Sequence, residues 1–164
     1  MRLGAADRRR VPMTRTAARE IAMHMIFELG FGTRSAAQLL EEELTQENFA
    51  LIGAEEPLYA EFPDEKQEQY IRTLVTGAFA HGPELDDYIS RYAVGWSFAR
   101  IPRVAAAIMR VAMYEVLYMP EIPNSAAINE AVEIAKGYET PEVVSFINGI
   151  LGSFVRSEFP EDGQ

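Results

Sequence analysis

The sequence predicts an all-α fold of about seven helices, and three observations carry that expectation. Apolar residues recur at three- and four-residue spacing along most of the chain, helix-start signatures precede these stretches, and no segment shows the strict alternation of a half-buried strand. At 164 residues, with 48% hydrophobic and 24% charged residues, the chain reads as one domain with ample material for a core. The expected organisation is a flexible basic arm over residues 1–13, a helical domain over 14–157 and an acidic tail over 158–164.

The first helix is expected from Thr16 to about Leu29, with Ala18, Ile21, Ala22, Met25, Ile26 and Leu29 on one stripe and Arg15 and Arg19 sharing a face at its start. Gly30 and Gly32 break it. Ser35 with Gln38 has the spacing of a capping box and opens a helix through Leu39, Leu40 and Leu44. The stretch from Ala50 to Pro63, with Gly53, Pro57 and Pro63, reads as a surface loop. Asp64 and Gln67 repeat the capping signature before Tyr70, Ile71, Leu74, Val75 and Ala78. Gly82-Pro83 closes that helix and starts another through Leu85, Tyr88, Ile89 and Tyr92. Trp96 and Phe98 lie in a short connection ending at Pro102. From Val104 to Met119 the chain is apolar nearly all round, the mark of a central helix surrounded by others. After Pro120 and Pro123, a helix capped by Asn124 or Ser125 buries Ile128, Ala131, Val132, Ala135 and Tyr138. Thr140-Pro141 launches the last helix through Val144, Ile147, Leu151 and Phe154.

Cysteine is absent, and His24 and His81 are too far apart for a local metal motif, so no metal or cofactor is expected. No phosphate-binding glycine loop, Ser/His/Asp set or carboxylate pair stands out, and no enzyme activity is expected. With no signal-peptide core, the expected location is the cytosol. The net charge is −10, but residues 1–20 hold six arginines against two acids, a net of +4, which leaves −14 on the other 144. At about 0.15 M salt the Debye length is ~8 Å, so a basic arm on an acidic body still meets an anion locally. Arg8, Arg9 and Arg10 would contribute if translation starts at Met1, and would fall away if it starts at Met13.

Two helices make polar choices that propensity does not explain: Asn129 in the next-to-last, Asn148 and Gly149 in the last. Phe146 and Gly149 share a face off the apolar stripe. They read either as a stacking platform for an unpaired base or as core edge plus a close helix approach. Arg110 and Glu115 interrupt the central helix about 140° apart at 100° per residue. Each therefore snorkels or finds a partner on another helix. Glu41-Glu42-Glu43 reads as a solvated face, and His81 as a helix-end residue.

Four blocks give the chain a resemblance to the NusB family of transcription antitermination factors: Arg15-Thr16-Ala17-Ala18-Arg19-Glu20, the run from Ala107 to Glu115, the run from Ile128 to Lys136, and Phe146-Ile147-Asn148-Gly149-Ile150-Leu151. The resemblance implies two small helical bundles packed across each other. It implies an adaptor without catalytic activity that binds single-stranded boxA-like RNA of ribosomal transcripts with ribosomal protein NusE, within an RNA polymerase antitermination complex. Arg15 and Arg19 then take the places of basic RNA-facing residues, Phe27 that of an aromatic near the RNA, and Phe146 that of an RNA-contacting phenylalanine. His24 and Asn148 join them as candidate RNA contacts. His24 and Phe27 stand where Gln and Tyr are common in the family. Ala105 stands at an often acidic position near the NusE surface.

One other reading stands beside the adaptor: a helical protein-interaction module, or a homodimer, without RNA binding of its own. A NusB-like domain also opens ribosomal RNA cytosine methyltransferases, but those continue into a catalytic domain that this sequence does not contain, so catalysis is not expected on that ground either.

Overall fold

The structure, a computed structural model, describes residues 12–161; the expectations for Arg8, Arg9 and Arg10 and for residues 162–164 lie outside them. Among the described residues there are eight α-helices and no strand: α1 (Arg15–Leu29), α2 (Ala36–Glu43), α3 (Gln46–Gly53), α4 (Glu65–Ala80), α5 (Gly82–Tyr92), α6 (Arg103–Tyr118), α7 (Asn124–Lys136) and α8 (Pro141–Glu158). Single 3₁₀ turns stand at Pro57–Tyr59 and Phe98–Arg100.

α6 is the axle. Its residues from Ala105 to Met109 and from Val111 to Val116 are all buried, because α1, α4, α5, α7 and α8 pack against it. α1 and α4 are partners in one half, joined by α2; α7 and α8 are partners in the other, with α5 laid across α6 and α8. The two small bundles meet along α6, and the buried apolar residues form one continuous cluster.

The helix boundaries follow their caps. Thr14, Thr45, Asp64 and Thr140 each accept a hydrogen bond from the third backbone N–H beyond them, and Ser35 with Gln38 forms a complete capping box. Asp64 caps α4, but Gln67 does not close the box, because its Oε1 accepts from Arg15 Nε at 2.8 Å. α7 begins at Asn124 itself behind Pro123, with no side-chain cap.

Several expectations are corrected. The stretch read as a loop from Ala50 to Pro63 contains the second half of α3 and a 3₁₀ turn, and α3 adds an eighth helix to the count. Phe49 on α3 is buried against Tyr59 and Phe62, which anchors the segment to the body. Met13, assigned to the flexible arm, is buried in the core. Glu158, assigned to the tail, closes α8 and accepts from Tyr92 and Arg91, and Phe159 packs on Phe154. Tyr138 lies beyond the end of α7 and is exposed; Ala127 and Ile134 complete the buried face instead. Ala105 is fully buried, so its side chain adds nothing to an exposed partner surface. Arg110 and Glu115 do find partners on other helices: Arg110 donates to Asp86 of α5 at 2.6 Å, and Glu115 faces α1 and α4.

Candidate nucleic-acid interface

α1 presents its two arginines very differently. Arg19 is only 4% exposed. Its Nε reaches both carboxylate oxygens of Glu115 at 3.0 and 3.1 Å, and its Nη1 donates to Glu130 at 3.0 Å. Tyr70 donates to Glu115 at 2.6 Å. Burial works against the Arg19 charge, but Glu115 beside it, with Tyr70 and Glu130, more than offsets this and holds the pKa above its ordinary value. Burial likewise pushes the Glu115 carboxyl up, against the pull of Arg19. The expectation that Arg19 neutralises a phosphate is thereby corrected: its guanidinium is inside the protein, committed to carboxylates from α6 and α7.

Arg15, one turn earlier, is half-buried and keeps its terminal nitrogens clear. Its guanidinium lies 3.9 Å over the Tyr70 ring while Nε donates to Gln67, and no carboxylate pairs with it among the described residues. A cation fixed on an aromatic face and unpaired by acid is prepared to meet a phosphate.

His24 is half-buried and has both ring nitrogens engaged. Nδ1 is 2.8 Å from the Tyr59 hydroxyl and Nε2 is 2.5 Å from that of Tyr138. Because Tyr138 spends its proton on Glu20, it accepts from His24, which places the ring proton on Nε2 and leaves Nδ1 to accept from Tyr59. Burial pushes the His24 pKa down. The ring ties α1 to the α7–α8 connection, with both nitrogens engaged inside the protein.

Phe27 lies at the far end of α1, in edge contact with Phe31. With Phe98, Arg103 and Arg110 these rings line a cavity of about 340 Å³. Arg103 rests 4.7 Å over the Phe31 ring, which is 58% exposed.

On α8, Phe146 is half-buried and packs against Trp96, itself 40% exposed, with centroids 4.7 Å apart and the ring planes inclined at 40°. Gly95 takes a φ of +86°, which a side chain rarely adopts, and so turns the chain to bring Trp96 to this position. A Cβ on Gly149 would meet nothing within 4 Å, so this glycine does not admit a neighbouring helix; it leaves open space on the surface of α8. Asn148 is exposed but points elsewhere, two positions or about 200° round the helix from Phe146, into a groove between α7 and α8.

Thus Arg15, His24 and Phe146 are each half-buried and reach the surface in part, while Arg19 is internal. Sequence reasoning missed the roles of Tyr70 and Gln67 in posing Arg15, and of Trp96 in doubling the Phe146 platform. An exposed tryptophan beside glycine in a short interhelical connection was the available signal.

Among the described residues the chain is a small all-α protein, with Arg15 held over the Tyr70 ring and Trp96 packed on Phe146 at its surface. Residues 16–156 match the pattern of the NusB family, and the chain belongs to that family. It is 39% identical over 152 residues to transcription antitermination protein NusB of Thermoanaerobacter sp. (strain X514), covering 93% of this chain and 97% of that protein. It is 37% identical over 147 residues to the protein of the same name from Symbiobacterium thermophilum (strain DSM 24528 / JCM 14929 / IAM 14863 / T), with 88% and 90% covered. The solved T. maritima NusB superposes with a TM-score of 0.76 at 29% identity, over 93% of this chain and 98% of that one. A chain from a crystal structure of a plectonemic RNA supercoil superposes at 0.72 with 20% identity, over 88% and 95%, and shows the fold alone. Among the described residues no helix is long and apolar enough to cross a membrane.

Proposed function

We propose that the protein is a cytoplasmic transcription antitermination adaptor, without catalytic activity, that binds single-stranded boxA-like RNA of ribosomal transcripts together with ribosomal protein NusE and acts within an RNA polymerase antitermination complex. The observation that carries the reading is the Trp96–Phe146 pair: an exposed indole in contact with a half-buried phenyl ring, beside the open surface at Gly149, at the place where the family resemblance puts an RNA-contacting phenylalanine. Stacking a base on such a platform contributes about 1–3 kcal/mol and tolerates any base. Arg15 supplies phosphate neutralisation, and the arginines of residues 1–13 add to it where they are translated.

Phe146→Ala is expected to weaken binding of a labelled boxA-like RNA by a factor of about 5–150, the equivalent of ~1–3 kcal/mol, without changing the far-ultraviolet circular dichroism. Arg15→Ala is expected to flatten the log–log salt dependence by about 0.7. Unchanged affinity in the first variant together with an unchanged slope in the second would remove this surface from RNA binding.

One observation favours a protein partner as well. The cavity sets the rings of Phe27, Phe31 and Phe98 beside Arg103 and Arg110, and Phe31 is 58% exposed at its mouth, a mix of aromatic and arginine groups of the kind enriched at protein interfaces. We assign the NusE contact to this face. A module that binds only protein predicts that RNA has no influence on NusE affinity, and a homodimer predicts a mass in light scattering that rises with concentration.

A further inference from the structure

Between α7 and α8 runs an open groove of about 550 Å³, within the ~300–1,000 Å³ usual for ligand sites. Asn129 stands on its α7 wall and Asn148 on its α8 wall, both exposed. Neither side-chain amide has a hydrogen-bond partner among the described residues, and neither caps a helix. Asparagine is a weak helix former because its side chain competes for the backbone, so helix propensity does not account for two exposed ones in mid-helix. Their placement on opposite walls of one groove is what they share.

A side-chain amide carries a donor and an acceptor, the same pair that each peptide unit offers. Two of them on facing walls are suited to bracket the backbone of an extended chain, while half-buried Val132 and Val144 offer apolar ground for its side chains. Charge selects the occupant. Lys136, on the α7 wall, is spent on Glu133 at 2.7 Å, while Glu139 at the end of the groove has no cation beside it among the described residues. A phosphate backbone is repelled here, and lysine or arginine is attracted. We infer that this groove binds an extended, basic peptide segment of a partner protein, held through its backbone by Asn129 and Asn148. The site lies on a different side of α8 from Phe146, and so stands independently of the RNA-binding reading.

The test is to pan displayed random nonapeptides on the full chain, and to measure the recovered peptides against wild type and the Asn129→Ala/Asn148→Ala double variant. The recovered sequences should be rich in lysine and arginine and bind the double variant at least tenfold more weakly. Glu139→Gln should weaken them severalfold, and a decauridylate RNA should not displace them. The double variant should melt no lower than wild type, since alanine is the better helix former. Recovery of no peptides, equal binding to both proteins, displacement by decauridylate or a markedly lowered melting temperature would each overturn the inference, the third in favour of an RNA subsite and the last in favour of a structural role for the asparagines.

Discussion

Arg19 Nε lies 3.0 and 3.1 Å from the two carboxylate oxygens of Glu115, joining residues 96 positions apart in a buried pair that ties α1 to the central helix. The remaining groups around the pair are also satisfied, by Tyr70 and by Glu130, and no buried side-chain polar atom among the described residues lacks a partner. Such a pair contributes little compared with a well-packed apolar substitute, but its two halves cannot be separated without penalty. Glu115→Ala leaves a guanidinium inside the protein and is expected to cost about 3–5 kcal/mol, read as a lowered midpoint in urea. Arg19→Ala should do the same, and any loss of RNA binding it causes should track the loss of folded protein. A midpoint within error of wild type for Glu115→Ala would show that Arg19 finds water when its partner is removed.

Gly77 on α4 faces the Tyr114 ring of α6. A Cβ built there would stand 2.0 Å from the Tyr114 hydroxyl and 2.2 Å from Cζ. Gly77→Ala would ordinarily stabilise a helix, since alanine is the better former by about 1 kcal/mol. Here overpacking reverses the sign, and a destabilisation of about 1–3 kcal/mol is expected. In a Tyr114→Ala background the same change should turn neutral or favourable. A double-mutant cycle with no coupling between the two positions would refute the contact.

Glu43 gives a pH dependence of definite sign. Burial, and then the Glu28 carboxyl beside it, raise its pKa from 4.5 to about 7, against the opposing pull of Arg34. A carboxyl whose folded pKa lies above its unfolded one binds more protons in the folded state. Its contribution is therefore fully present below about pH 4.5 and lost as the pH rises through 7. Glu43→Gln removes this loss, so the variant should gain on wild type between pH 4.5 and pH 8 in urea unfolding. A constant difference across that range would mean that Glu43 titrates normally.

His24 has the opposite sign. Burial lowers its pKa below 6.5, so the unfolded chain takes up the proton first, and the stability it permits is lost as the pH falls below that value. Protonation also forces Nδ1 to become a donor against the Tyr59 hydroxyl that donates to it. Melting temperatures at pH 7.5 and 5.5 should differ more for wild type than for His24→Gln, and equal differences would place the ring in solvent.

What the sequence made legible was local. The stripes of α1 and α8, the apolar girth of α6 and the caps at Ser35, Asp64 and Thr140 are patterns within a few residues, and the helices stand where those patterns put them. α3 was hidden by its proline- and glycine-rich surroundings, although Thr45 ahead of Asn48 carries the same cap spacing that marked the others. The candidate site was legible as residue types but not as an arrangement. Arg15 and Arg19 look equivalent at four-residue spacing. Only the acid at position 115 and the ring of Tyr70, both distant in sequence, send one inward and hold the other at the surface. Phe146 and Asn148 sit in one motif yet face different sides of α8, and the partner of Phe146 is 50 positions upstream.

The measurement that tests the account most directly is equilibrium binding of a labelled boxA-like RNA to the purified protein, with and without NusE, across a salt series. The account predicts that NusE tightens RNA binding and that affinity falls as salt rises, because phosphate contacts release counterions. Binding of NusE without any RNA binding, at any salt concentration, would contradict it and leave a protein-interaction module on a NusB fold.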